Sequence, residues 1–95
     1  MKFNIPDRVL RDITSFAKNN NIEKIILFGS RAKGNHTERS DIDIAVSGGD
    51  FDGFYWDVKE KTYSLLTFDV INLDSCVFAE LQKEIDKYGV VIYEK

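Results

Sequence analysis

Three aspartates in this sequence have the spacing of a metal-binding carboxylate cluster. Asp41 and Asp43 lie two residues apart in an alternating segment, so in a strand both side chains project from one face, and Asp69 of a later strand can join them there. Three carboxylates about 4 Å apart repel by several kcal/mol per pair at an effective dielectric of about 20, and a divalent cation relieves that repulsion. Because all the ligands are oxygens, the cluster predicts Mg²⁺, with Mn²⁺ as the alternative, rather than Zn²⁺.

A phosphate-binding turn comes ten residues before this cluster. Gly29 lets backbone N–H groups approach phosphate oxygens, and Ser30 adds a hydroxyl. Arg31 and Lys33 add the positive charge that phosphate binding needs. Because Mg²⁺ takes one or two carboxylates and completes its coordination with phosphate and water, a nucleoside triphosphate is the natural co-ligand. The combination predicts phosphoryl or nucleotidyl transfer with two metal ions about 3.5–4 Å apart, and an attacking hydroxyl held near Asp69.

The segment that carries these residues reads GSRAKGNHTERSDIDIAV. It resembles the signature of the minimal nucleotidyltransferases of the DNA polymerase β superfamily, in which Gly-Ser is followed at about this distance by Asp-x-Asp. The match includes Arg31, Ala32, Gly34 and Ser40, and the third carboxylate of the family appears as Asp69. The order of helices and strands extends the resemblance over the whole chain.

This resemblance implies a nucleotidyltransferase fold and a specific role. Short members look like the antitoxin half of two-gene modules whose other gene encodes an all-helical HEPN ribonuclease toxin. The implied activity is Mg²⁺-dependent transfer of AMP from ATP to a tyrosine of that toxin, within a hetero-oligomer. Asp41 and Asp43 would be metal ligands, Asp69 a ligand and general base, and Gly29 and Ser30 would hold the phosphates. The chain departs from larger relatives in lacking a visible helical substrate domain.

Two alternatives differ in kind from this reading. The protein could be the catalytic subunit of a two-subunit transferase that modifies a small hydroxylated molecule, as antibiotic-modifying relatives do. It could also neutralise a toxin by contact alone, without catalysis. The identity of the neighbouring gene product would separate these functions better than the sequence does.

The elements that position the site alternate between helix and strand. Val9, Ile13, Phe16 and Ala17 recur at helical spacing after Pro6, which predicts a first helix that ends near residues 19–21. Strands are predicted over Lys24–Phe28, 41–46, 67–73 and 90–93, with a turn or short helix over 30–34. Two further helices are predicted, one with Phe54, Tyr55, Val58, Thr62 and Leu65, and one from Asp74 or Ser75 through Phe78, Leu81 and Ile85 to Tyr88, ended by Gly89. This order predicts an α/β (α+β) fold with a small mixed, partly parallel sheet of three to four strands packed with helices.

Several other residues have simpler interpretations. Asp74 is expected to cap a helix, His36 to be a surface residue, and Cys76 to be structural. The aromatic-rich stretch over residues 51–56 exceeds what one short helix can bury, so part of it is expected to dock a partner protein or stack on adenine, or else to pack in the core.

Composition narrows the function classes further. The 95 residues predict a single domain over 1–95, and 13 basic against 16 acidic residues give a net charge of −3, which opposes direct nucleic-acid binding. The single cysteine cannot form an internal disulfide, and no apolar run predicts a signal peptide or a membrane span, so a cytoplasmic protein is expected. A chain this short leaves little room for an acceptor, which predicts that a second protein supplies it.

Overall fold

A computed structural model describes residues 4–37, 39–62, 67–75 and 77–95 of the chain. The elements in chain order are α1 (Asp7–Asn19), β1 (Lys24–Phe28), α2 (Ser30–Lys33), β2 (Ile42–Ser47), α3 (Phe51–Lys61), β3 (Phe68–Asn72), α4 (Ala79–Tyr88) and β4 (Val90–Glu94). The alternation of helices and strands that the sequence predicts is confirmed.

Four strands form one mixed sheet in the order β3-β2-β1-β4. β1 pairs antiparallel with both β2 and β4, whereas β2 and β3 run parallel. Parallel neighbours need a crossover connection, and α3 supplies it between β2 and β3. The predicted partly parallel sheet is therefore confirmed, and β4 lies at one edge of it.

The larger core lies between the sheet and helices α1 and α3. Val9 and Ile13 of α1 pack with Phe54 of α3 against the strand residues Ile25 and Ile44, and all five are buried. These positions follow the period of 3.6 in the helices and the period of 2 in the strands. The hydrophobic spacing of the sequence therefore decides which face of the sheet α1 and α3 cover.

Helix α4 packs on the opposite face of the sheet. Its buried Ile85 meets Phe28 and Ala45, with Ile26 and Leu81 packed alongside. Residues two apart in a strand share a face, so the face that carries Ala45 also carries the side chain two positions earlier in β2. The predicted catalytic carboxylates therefore lie on the α4 side of the sheet.

The start of α4 differs from the prediction. Asp74 and Ser75 do not cap this helix, which begins at Ala79, and Phe78 is 84% exposed rather than packed on its apolar face. Asp74 instead accepts a hydrogen bond at 2.7 Å from the backbone N–H of Gly48. β2 and β3 run parallel and end at the same edge of the sheet, so Asp74, after β3, lies close to Gly48, after β2. This hydrogen bond uses the carboxylate that would otherwise cap a helix.

Helix α3 begins earlier than predicted. The side chain of Asp50 accepts a hydrogen bond at 3.1 Å from the backbone N–H of Gly53, which caps the helix before the first apolar residue of the predicted stripe. Thr62, expected inside the helix, follows its last residue in extended backbone. The predicted roles of Leu65 and Cys76 lie outside the described residues.

Among the residues that the structure describes, none forms a helix long and apolar enough to cross a membrane.

Candidate active site

Two of the predicted carboxylates meet on neighbouring strands. Asp43 of β2 is in direct register with Asp69 of the parallel strand β3, and both side chains project from the α4 side of the sheet. The two carboxyl groups are close enough for the charge of Asp69 to act on Asp43. Asp43 is half-buried and Asp69 is exposed, so the pair has one enclosed member and one that an acceptor can reach.

The surroundings of Asp43 oppose its negative charge. Burial and the charges of Asp69, Asp41 and Glu84 together raise the pKa of Asp43 to about 6. Burial is the largest cause, because a carboxylate that loses water is less stable than the neutral acid. A bound cation or a proton would therefore stabilise the carboxyl group of Asp43.

Asp41 lies at the margin of this pair. It precedes the first residue of β2 and is exposed, although its charge acts on Asp43. No three His, Cys, Asp or Glu side chains of the described residues converge closely enough to hold a metal ion by themselves. The donor set nonetheless fits Mg²⁺, because Mg²⁺ is typically bound through one or two carboxylates and completes its octahedron with phosphate oxygens and water.

Gly29 packs directly against the carboxyl group of Asp43. It follows β1, whose last residue, Phe28, is in register with Asp43. Its backbone has φ +75° and ψ −156°, a region that residues other than glycine rarely adopt. A Cβ at this position would overlap with Oδ2 of Asp43 and lie 3.1 Å from its Cγ. The glycine of the predicted phosphate turn is thus required both by its conformation and by the neighbouring aspartate.

Ser30 opens the short helix α2 directly after Gly29. Its carbonyl accepts a hydrogen bond at 3.0 Å from the N–H of Gly34, which ends the helix in a left-handed conformation. Ser30 therefore lies next to the glycine that contacts Asp43, and its contact with phosphate stays a prediction.

The structure places Arg31 inside the protein rather than at a phosphate site. Its side chain is 97% buried, and its guanidinium donates to the carbonyls of Asn4 at 2.8 Å, Ser40 at 3.1 Å and Thr37 at 3.4 Å. Asn4 returns a hydrogen bond to the carbonyl of Arg31 at 2.6 Å. These contacts fix the segment that leads into Asp41, so they favour a positioning role for Arg31 over the predicted contact with phosphate.

Lys33 is at the surface, where helix α4 holds its ammonium group. Its Nζ donates to Oε1 of Glu84 at 2.7 Å and lies 4.9 Å from the centre of the Tyr88 ring. The hydrogen bond with Glu84 raises the pKa of Lys33, so the side chain is a cation at neutral pH. Glu84 also acts on Asp43, although the sequence analysis did not identify it. The one sequence feature that indicates a position near the sheet for Glu84 is its place beside Leu81 and Ile85, the apolar residues of this helix.

His36 and the aromatic stretch over residues 51–56 lie in partly buried and partly exposed surroundings. His36 is half-buried rather than on the surface, and its Nδ1 has no hydrogen-bond partner among the described residues. Of the aromatic stretch over residues 51–56, Phe54 is fully buried and Trp56 is 58% exposed. Tyr55 meets Trp56 edge to face, with ring centres 5.5 Å apart. The stretch therefore supplies both core and surface, and its binding role stays a prediction.

The comparison with protein families identifies the class of this fold and site. Residues 11–95 match the family described as Polymerase beta, Nucleotidyltransferase, and the chain belongs to that family. The nucleotidyltransferase fold expected from the sequence is confirmed.

More particular similarities lie within this class. The chain is 66% identical over 32 residues to a Methanocaldococcus jannaschii protein provisionally named as a protein adenylyltransferase; the match covers 33% of this chain and 32% of that protein. It is also similar to a chain from a crystal structure described as the toxin-antitoxin with AMP-PNP, with a TM-score of 0.71, 26% identity, and coverage of 90% and 73%. A mutant of the toxin-antitoxin MntA-HpeT gives a TM-score of 0.67 and 27% identity, covering 90% of this chain and 72% of that chain. The predicted resemblance to minimal nucleotidyltransferase antitoxins is confirmed.

Proposed function

We propose that this protein is a Mg²⁺-dependent nucleotidyltransferase that transfers AMP from ATP to a hydroxyl group of a partner protein. The observation that carries the proposal is the pair of Asp43 and Asp69, held in register on parallel strands beside the Gly29 turn. Family membership supports the reaction class, and the name of the archaeal relative supports a protein acceptor. The acceptor we propose is a tyrosine of a HEPN-type toxin, so that the transfer makes this protein an antitoxin.

The nucleotide would bind where the turn meets the carboxylates. Gly29 and Ser30 would hold its phosphates, and Lys33 would add a positive charge. Asp41, Asp43 and Asp69 would hold Mg²⁺ only together with phosphate oxygens and water, and the ion would neutralise the phosphates and activate the α-phosphorus. The raised pKa of Asp43 supports this assignment, because a bound cation favours the charged form that the protein alone opposes.

The proposed step is an in-line displacement at the α-phosphorus of ATP. The acceptor hydroxyl oxygen forms a bond to this phosphorus while the bond to the oxygen that bridges the α- and β-phosphates breaks, and pyrophosphate leaves. The hydroxyl proton moves to the carboxylate of Asp69, which is exposed and therefore accessible to an acceptor. The products are an AMP ester of the acceptor and pyrophosphate.

A partner protein is part of this proposal. We propose that residues 1–95 form one nucleotidyltransferase domain and that the acceptor comes from a second protein in a hetero-oligomer. Two of the similar structures are described as toxin-antitoxin structures, which supports a toxin as the partner. Residues 51–56, with exposed Trp56 among them, are our candidate for the docking surface or for stacking on adenine.

The proposal is tested by following the two ends of ATP separately. The protein is incubated with Mg²⁺, its cognate toxin and ATP labelled either at the α- or at the γ-phosphate. We expect the toxin to gain label only from α-labelled ATP, and a tyrosine of the toxin to carry the added AMP in mass spectra. Asp43→Asn and Asp69→Asn are expected to lower this transfer at least about 100-fold, because each removes a carboxylate that would hold Mg²⁺ and the second also removes the proton acceptor. Asp7→Asn, on an exposed residue of α1, which covers the opposite face of the sheet, is the matched control and should transfer normally.

The same experiment separates the proposal from its two alternatives. Label transferred to small hydroxylated molecules, but not to the toxin, would identify a small-molecule transferase. If the Asp43→Asn variant still protects cells from the toxin as well as the wild type does, neutralisation by contact replaces catalysis. Transfer from γ-labelled ATP would contradict the reaction type.

A further inference from the structure

Helix α4 contributes a carboxylate that pairs with Lys33, the lysine that we propose binds phosphate. The Nζ atom of Lys33 lies 2.7 Å from Oε1 of Glu84 and 4.9 Å from the centre of the Tyr88 ring. Glu84 and Tyr88 are four residues apart, so they form one patch on the helix surface. The cation that the sequence assigns to phosphate thus already has an anionic partner.

Glu84 also lies close to the catalytic carboxylates. The next residue, Ile85, packs against Phe28 and Ala45 on the face of the sheet that carries Asp43. The negative charge of Glu84 acts on Asp43. A triphosphate bound beside Asp43 would therefore meet an unfavourable charge at Glu84 as well as a lysine that is already paired.

The contact between Lys33 and Glu84 can be exchanged. The two side chains are 33% and 35% exposed, and ion pairs with this much access to water are weakly held. The long, flexible stem of lysine allows its ammonium to change partners without movement of the backbone. The triphosphate of ATP, which as a whole carries more negative charge than one carboxylate, can compete for this ammonium group.

We propose that Glu84 sets the affinity for the nucleotide by competing with the phosphates of ATP for the ammonium group of Lys33. Binding of the nucleotide takes Lys33 from Glu84 and so breaks a link between α2 and α4. This inference rests on the proposed function, because it concerns the nucleotide of that reaction. Glu84 is an affinity-determining residue here and takes no part in the chemical step.

The test is a double-mutant cycle on nucleotide binding. The dissociation constant of AMP-PNP is measured by calorimetry in excess Mg²⁺ for the wild type, Glu84→Gln, Lys33→Met and the double variant. We expect Glu84→Gln to bind AMP-PNP about threefold to tenfold more tightly, since it frees Lys33 and removes a repulsive charge. Lys33→Met should bind more weakly, and in that background the gain from Glu84→Gln should fall to less than about twofold.

Asp86→Asn is the matched control for this cycle. It removes one negative charge from the same helix, but residues two apart do not share a helix face, and the side chain of Asp86 pairs with Gln82. This variant should keep the wild-type dissociation constant.

Four outcomes would overturn the inference. Weaker binding in Glu84→Gln would mean that Glu84 orients Lys33 for the phosphate instead of competing with it. An equal gain in both backgrounds would mean that Glu84 acts without Lys33. Wild-type binding that neither substitution alters would refute the competition and leave the proposed function standing, whereas a wild type that binds no AMP-PNP would refute the proposed nucleotide as well.

Discussion

Gly29 and Gly34 both have a positive φ, but their surroundings differ. Gly34, at φ +85° and ψ 6°, is left-handed, and a Cβ there would meet nothing within 4 Å. Gly29 lies in a region that only glycine adopts readily, and a Cβ there would overlap with Asp43. A substitution at Gly34 therefore measures the backbone strain alone, whereas one at Gly29 measures strain together with the overlap with Asp43.

We expect Gly29→Ala to destabilise the protein more than Gly34→Ala does. Gly34→Ala should lower the free energy of unfolding by about 1 kcal/mol, the cost of a left-handed alanine. Gly29→Ala should lower it by about 3 kcal/mol or more, because strain is added to displacement of Asp43. Urea denaturation measures both values. Equal losses would show that Gly29 is not packed against Asp43.

A second prediction at the residue scale concerns the pH dependence of stability. The pKa of Asp43 is about 6 in the folded protein and about 3.9 in an unfolded chain. A raised carboxyl pKa contributes stability that is fully present below pH 4 and is lost as the pH rises through 6. Because Asp43 is only half-buried, solvent screening reduces the effect to about 1 kcal/mol.

Asp43→Asn removes this titration. Without Mg²⁺, the variant should therefore gain about 1 kcal/mol relative to the wild type between pH 4 and pH 7. Urea denaturation at pH 4, 5, 6 and 7 in the presence of a chelator measures the difference. Asp52→Asn should show no such trend, and a difference for Asp43→Asn that stays constant over this range would contradict the raised pKa.

At the scale of elements, Arg31 connects α2 to the segment before β2 and to the beginning of the described chain. Arg31→Met leaves the partly buried carbonyls of Asn4 and Ser40 without their donor, so we expect a loss of about 2 kcal/mol in the free energy of unfolding. Arg39→Met, on an exposed residue of the same loop, should cost less than about 0.5 kcal/mol. Denaturation of both variants tests the positioning role. Normal stability with weaker AMP-PNP binding in Arg31→Met would restore the phosphate role that the sequence predicts.

The elements show how far the sequence determines the fold. Alternation in β2 and helical spacing in α1 predict which side chains are buried, because burial on one face repeats with the period of the element. The start of α4 could not be predicted in this way. Asp74 has the residue type of a helix cap, but the hydrogen bond that it makes depends on Gly48, a residue that only the parallel pairing of strands brings near.

The same distinction applies to the candidate site. Asp43 and Asp69 could be placed together from sequence because strand alternation and a shared signature both indicate it. The burial of Arg31 and the pairing of Lys33 with Glu84 could not, since Arg31 contacts Asn4, 27 residues away, and Glu84 is 51 residues from Lys33. A basic residue beside a phosphate turn has the same sequence signal whether it binds phosphate, a carbonyl or a carboxylate.

At the scale of the whole molecule, the site joins three strands that the folded sheet alone brings together. Gly29 follows β1, Asp43 lies in β2 and Asp69 lies in β3. A ligand that contacts all three binds the folded chain and not the unfolded one, so it stabilises the fold by mass action. Thermal unfolding therefore reports binding without any need for turnover or partner.

Mg²⁺ and the nucleotide should stabilise the molecule together more than separately. No three acidic, histidine or cysteine side chains in the described part of the chain hold a metal by themselves, so we expect Mg²⁺ to need phosphate oxygens, and AMP-PNP to need Mg²⁺ to offset the charges of Asp43 and Asp69. At tenfold excess over the dissociation constant, the complex of both should add about 1.4 kcal/mol, which raises the Tm by about 5–10 °C in a domain of this size. The Tm increases with Mg²⁺ alone and with AMP-PNP alone should add up to less than the increase with both ligands. In Asp43→Asn, the Tm shift with both ligands should not exceed the sum of the two separate shifts. If the wild type also shows only this sum, Mg²⁺ does not need the phosphate oxygens of the nucleotide to bind.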